Sequence, residues 1–137
     1  MSFNLFDLNS GLDSDDSIDY CRKAILYQQN ELNKLVIAGI EKLNHFISKA
    51  IMFYIISELD HDIVSECNII GVGRIDLFDI TTNTIYEFET TGCKTVQKRV
   101  NDIYKQTGVE VIVIDVQELP DDIFQRYLRL REYVIPD

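Results

Sequence analysis

The spacing of apolar residues changes period several times along the chain. From Lys42 to Leu59, residues Leu43, Phe46, Ile47, Ala50, Phe53, Tyr54 and Leu59 recur at helical spacing, and so many faces are apolar that the helix should be largely buried. From Ile63 to Ile70 the pattern alternates with period two, and Gly71-Val72-Gly73 reads as a tight turn. Arg74 to Ile80 and Thr84 to Thr90 alternate again around a polar turn, which completes a three-stranded meander. Gly92 closes it. Val96, Val100, Ile103 and Tyr104 then predict a helix ending before Gly108. The unbroken apolar run from Val109 to Val116 has the pattern of a strand buried on both faces. Pro120-Asp121-Asp122 suits the first turn of a last helix, whose core face is marked by Ile123, Tyr127 and Leu130. Upstream, Asp16-Ser17 offers an N-cap for a helix through Tyr20, Ala24 and Tyr27, and Gly39 leaves the stretch from Glu31 to Ile40 ambiguous. Residues 1–15 read as an acidic, mobile arm whose apolar side chains dock on a partner, and residues 16–137 as one α/β domain: helix, meander, helix, strand, helix, with a mixed sheet flanked by helices.

Composition narrows this picture. The chain has 137 residues, 46% of them hydrophobic, enough for one buried core. The longest uncharged apolar candidate, Ala50 to Ile56, is far too short to span a bilayer, and no secretory apolar core is visible. A soluble, cytoplasmic protein without membrane association is expected. Three widely spaced cysteines, Cys21, Cys67 and Cys93, without C-x-x-C pairs or nearby histidines, argue against both a disulfide framework and a zinc site. The net charge of −10 opposes indiscriminate nucleic-acid binding, which needs Lys and Arg to displace counterions. Asp7, Asp13, Asp15, Asp16 and Asp19 concentrate much of that charge in the N-terminal tail. Basic residues gather instead at Lys94, Lys98, Arg99 and Lys105, and at Arg126, Arg129 and Arg131, each series on one predicted helix.

The chemistry centres on Gly73-Arg74-Ile75-Asp76 and Tyr86-Glu87-Phe88-Glu89. A hairpin turn centred on Thr82-Asn83 sets Asp76 opposite Glu89 and Phe78 opposite Glu87, so Asp76, Glu87 and Glu89 share one face. Like charges placed so closely destabilise a sheet unless a cation lies between them. Oxygen ligands on adjacent strands suit Mg²⁺ or Mn²⁺, which take one or two carboxylates together with waters and substrate phosphate. An unbulged meander brings Glu66 opposite Phe78 and Asn68 opposite Asp76, making Glu66 a further ligand; a bulge there would reverse its facing. On the preceding helix Glu41, His45 and Lys49 form one polar stripe at i, i+4 and i+8. That stripe reads either as a solvated ion-pair ladder or as a side of the site, with His45 a general base or a satisfied core histidine. Lys94, Lys98 and Arg99, with Arg74, offer positive charge to a phosphate backbone.

The element order, together with Asp76-x10-Glu87-Phe88-Glu89, resembles the PD-(D/E)XK nuclease superfamily, which includes type II restriction enzymes and archaeal Holliday-junction resolvases. The resemblance covers roughly Glu41 to Val116 and implies a restriction endonuclease-like core. It also implies that Asp76 and Glu87 bind the metal, that Glu41 adds a carboxylate from the first helix, and that the chain is a Mg²⁺- or Mn²⁺-dependent endonuclease. The last motif residue is usually Lys in that family; here it is Glu89, as in some restriction enzymes that cleave with two metals. Glu89 then becomes a second-metal ligand or water-orienting base, with Lys49 the candidate for the missing cation. Thr90-Thr91-Gly92 and Gln97 loosely match branches in which Gly and Gln follow the acidic strand. The expected partners are DNA, branched or single-stranded forms included, with a homodimer left open. The alternative is a nuclease-fold module that has lost cleavage and binds nucleic acid or protein in a regulatory role.

Overall fold

The computed structural model describes residues 32–36, 42–69, 73–89 and 94–135. The N-terminal arm, the helix expected after Asp16 and the expected ligand Glu41 lie outside the described residues. The described chain is an α/β arrangement with the elements α1 (Leu43–Glu58), β1 (Ile63–Ile69), β2 (Gly73–Asp79), β3 (Thr84–Glu89), α2 (Lys94–Thr107), β4 (Glu110–Asp115), a 3-10 turn (Val116–Glu118) and α3 (Ile123–Val134). One mixed sheet has the strand order β1-β2-β3-β4. The first three strands are antiparallel, and β4 lies parallel to β3, from Thr84 beside Glu110 to Glu89 beside Asp115. A parallel neighbour needs a crossover, and α2 supplies it.

Apolar side chains cover both faces. Met52, Ile55 and Ile56 of α1 and Leu130 of α3 bury Ile63, Leu77, Tyr86, Phe88 and Ile114. On the other face Ile103 of α2 packs with Val64, Cys67, Ile75, Phe78, Ile85 and Val109. Several positions differ from the periodic expectation. On α1 the marked residues Leu43 and Tyr54 are exposed, as is Leu59 just beyond its end, and the buried side chains are Ser48, Lys49, Met52, Ile55 and Ile56, so the helix is buried along one face and not all round. β4 is an edge strand, so Val111 to Val113 are only half-buried and Glu110 is exposed. Ile123 at the start of α3 is exposed, whereas Leu130 is fully buried.

The meander registers sit two residues away from those expected. Phe78 pairs with Ile85 and Asp79 with Thr84, so the continued register brings Asp76 level with Glu87 and not Glu89. Asp79 is the cause. Its fully buried carboxylate accepts the Thr82 N–H at 3.1 Å and meets His61 Nδ1 at 2.8 Å, which closes the hairpin around Ile80 to Asn83. Asn83 takes the left-handed turn position, φ +60°, which asparagine tolerates better than most residues. Between β1 and β2, Val64 and not Glu66 stands opposite Phe78, and Asn68 pairs with Arg74 and not Asp76. No residue is inserted, yet Glu66 adopts φ +50° and makes no ladder pair. The facing of both strands slips there: Leu77 joins the α1 side of the core while Ile75 joins the α2 side. This break at Glu66 and Asp76 turns two acids toward α1.

Candidate active site

Three elements converge where β2 and β3 part. The last ladder pair is Leu77 with Tyr86; beyond it the Asp76 carboxylate reaches across and accepts the Phe88 N–H through Oδ2 at 2.8 Å. A side chain therefore replaces a backbone carbonyl in the ladder. On the α1 side His45 Nε2 lies 3.3 Å from the same oxygen, and its ring meets Phe88 edge-on with centroids 6.0 Å apart. On the α2 side Arg99 Nη2 stands 3.1 Å from Oε1 of Glu87. Asp76 and Glu87 interact directly, and Glu89 lies within the field of Asp76, His45 and Arg99. Asp76 and Glu87 thus come together, with Glu89 only within the reach of their charge, and not on one shared face: Asp76 turns toward α1 and Glu87 toward α2.

The electrostatics divide the acids. Burial acts to raise Asp76, but the hydrogen bonds from His45 and the Phe88 N–H, with the charge of His45, carry it below the ordinary carboxylate range. Glu87 moves the other way. Burial first, then the negative charge of Asp76, push its carboxyl up to about 8 despite Arg99. The Arg99 contact is poorly formed: Glu87 Oε1 and Arg99 Nε are both buried and neither makes a hydrogen bond. Glu89, half-buried, is raised by burial and by Asp76.

Lys49 and Glu66 occupy a second cluster. Lys49 is fully buried on α1, its Nζ 2.7 Å from Glu66 Oε1 and 3.1 Å from the Val36 carbonyl. Of the two readings of this stripe, the solvated ladder does not hold for Lys49. Arg74, largely exposed, approaches Glu66 Oε2 at 3.9 Å. The left-handed backbone of Glu66 is what aims its carboxylate at α1, and the pair neutralises itself. Of the residues expected at a phosphate backbone, Lys98 is exposed, Arg99 lies against Glu87 with part of its side chain exposed, and Lys94 lies on α2. Arg126 is no surface cation: it is buried against α1.

The donor set bears on a metal. Among the described residues no three of His, Cys, Asp and Glu form a ready-made ligand group. Mg²⁺ and Mn²⁺, however, are commonly held by one or two carboxylates with water and substrate phosphate. Adjacent Asp76 and Glu87 supply that number, and the orphaned Glu87 Oε1 is a buried oxygen for which a cation is the natural partner. Oxygen donors of this kind fit a hard divalent cation. Sequence spacing identified the three acids and His45 as neighbours, but nothing local to α2 marked Arg99 as their cation, because that contact depends on how the crossover helix packs. No protein-family model, curated protein or solved structure matches the chain.

Proposed function

We propose that the chain is a PD-(D/E)XK-like, Mg²⁺- or Mn²⁺-dependent endonuclease that hydrolyses DNA phosphodiester bonds at Asp76, Glu87 and Glu89. The observation that carries this reading is the meeting of Asp76 and Glu87 at the parting of β2 and β3, with Glu89 within the field of Asp76 and Glu87 Oε1 buried and unbonded. An apolar pair would be a cheaper way to fill such a place, since desolvated carboxylates cost several kcal/mol unless compensated. The four-stranded mixed sheet with the acids on its second and third strands supports a restriction endonuclease-like core.

Asp76 and Glu87 would hold the cation. Such an ion supplies Lewis-acid polarisation of the phosphodiester and of an attacking water. The chain does the rest. Asp76 is fixed in advance by the Phe88 N–H and His45, both on Oδ2, which limits the reorganisation its carboxylate would need to meet a cation. Glu89, with its raised proton affinity and partial exposure, is placed to orient water and accept its proton. Lys49 does not fit the role of free cation at the phosphate, because its ammonium is committed to Glu66 and the Val36 carbonyl. That same observation favours a second reading, in which the fold binds nucleic acid or a protein without cleaving.

The test is a nuclease assay on single-stranded, duplex and branched DNA with Mn²⁺. Cleavage by the wild type that disappears in Asp76→Ala is the expected result. Absence of cleavage on every substrate, with folding and nucleic-acid binding retained, would replace it with the binding-module reading.

A further inference from the structure

The contact between Arg99 and Glu87 is unusual in what it leaves unmade. An arginine that forms a stable structural pair with a carboxylate normally meets it as a fork, with two parallel N–H···O bonds. Here a single Nη2 approaches Oε1 at 3.1 Å, and both that oxygen and Arg99 Nε remain buried without a hydrogen bond. Two orphaned groups of opposite polarity stand side by side. The oxygen calls for a cation and the guanidinium N–H for an anion. Glu87 is nearly enclosed, its side chain 6% exposed, while that of Arg99 is 40% exposed. Lys98, its neighbour on the same helix, is exposed to the same solvent.

Resting on the hydrolase reading above, we propose that Arg99 is the phosphate ligand of this site: parked against Glu87 when the site is empty, it transfers to a non-bridging phosphate oxygen when a divalent cation takes its place on that carboxylate. One substrate fragment, a cation riding on a phosphodiester, satisfies both orphans at once. The guanidinium is suited to this because its planar fork matches phosphate bidentately and its charge is permanent. The arrangement also supplies the cation that Lys49 cannot bring. Cation and DNA should therefore bind with positive coupling, since each relieves the group that the other leaves unpaired.

The experiment uses the full chain, Mn²⁺ alone, and a hydrolysis-resistant phosphorothioate duplex. Mn²⁺ affinity is read by calorimetry and duplex affinity by fluorescence anisotropy, with and without Mn²⁺. In the wild type Mn²⁺ should tighten duplex binding by about tenfold. Arg99→Gln should reduce that enhancement to within about twofold while binding Mn²⁺ alone at least as tightly as wild type, because it removes a competitor for Glu87. Arg99→Lys should keep part of the enhancement, and Arg129→Gln, on α3, should keep all of it. An enhancement that survives in Arg99→Gln, or loss of Mn²⁺ binding in that variant, would overturn the assignment of Arg99 alone. A wild type that binds no Mn²⁺ would overturn both this assignment and the metal-dependent reading beneath it.

Discussion

Glu87 is the residue whose free energy is most exposed to experiment. Its carboxyl is pushed up to about 8 in the folded chain by burial and by Asp76, whereas an unfolded glutamate titrates near 4.3. Between those values the folded state keeps a proton that the unfolded state has lost. Stability contributed by this group is therefore full below the unfolded pKa and falls as pH rises toward 8. Glu87→Gln, which keeps the shape and cannot ionise, should flatten that slope. The variant should melt close to wild type at pH 5 and several degrees above it at pH 8 in metal-free buffer, read by circular dichroism. Equal melting temperatures at both pH values would show that Glu87 is not held in its protonated form. Asp76 acts in the opposite sense: its lowered pKa contributes stability that is lost only as pH falls well into the acid range.

At the scale of elements, the site depends on how helices are locked to the sheet. Arg126 of α3 is the clearest lock: its guanidinium bonds the side chains of Asn44 and Ser48 on α1 and, through Nε, the Pro120 carbonyl at 2.8 Å. Asp122 caps the same helix by accepting the Gln125 N–H at 2.9 Å. Arg126→Met would leave three acceptors without that donor in a largely buried place. It should cost about 2–4 kcal/mol in chemical denaturation and speed amide exchange along α3 before the sheet opens. Unchanged stability would mean that α3 is held by apolar packing alone. Element identities were legible in the sequence because each is long and periodic: α1, the three meander strands and α2 fall within a residue or two of their expected bounds. The strand registers were not. They are set by the Asp79 turn and by the left-handed backbone at Glu66, and neither the bond from Asp79 to the Thr82 N–H nor a positive φ at a glutamate is written in hydrophobic alternation. The two-residue shift brings Asp76 level with Glu87, which is why the two still meet although they face different helices; the slip at Glu66 sent that acid to Lys49.

For the whole molecule, the acidic balance, the mixed sheet and the carboxylates at its parting strands describe one arrangement in which negative charge is gathered and only partly answered. His45 and Arg99 answer it from opposite faces, and Lys49 answers Glu66 separately. Among the described residues no helix is long and apolar enough to cross a membrane. The acids of the site were legible because carboxylates on adjacent strands are conspicuous in an alternating pattern, and His45 was legible from the polar stripe on α1; the pairing of Arg99 with Glu87 was not, because it depends on how α2 packs. The central claim is that Asp76 and Glu87 together hold a divalent cation in the folded chain. Its most direct measurement is the melting temperature of wild type and Asp76→Ala at pH 7.5 across a Mn²⁺ titration into the millimolar range. A cation bound only by the folded state at about a hundredfold over its dissociation constant adds about 2.7 kcal/mol, so the wild type should rise by several degrees and Asp76→Ala should not respond. A wild-type melting temperature that stays flat, or an equal rise in both proteins, would contradict it.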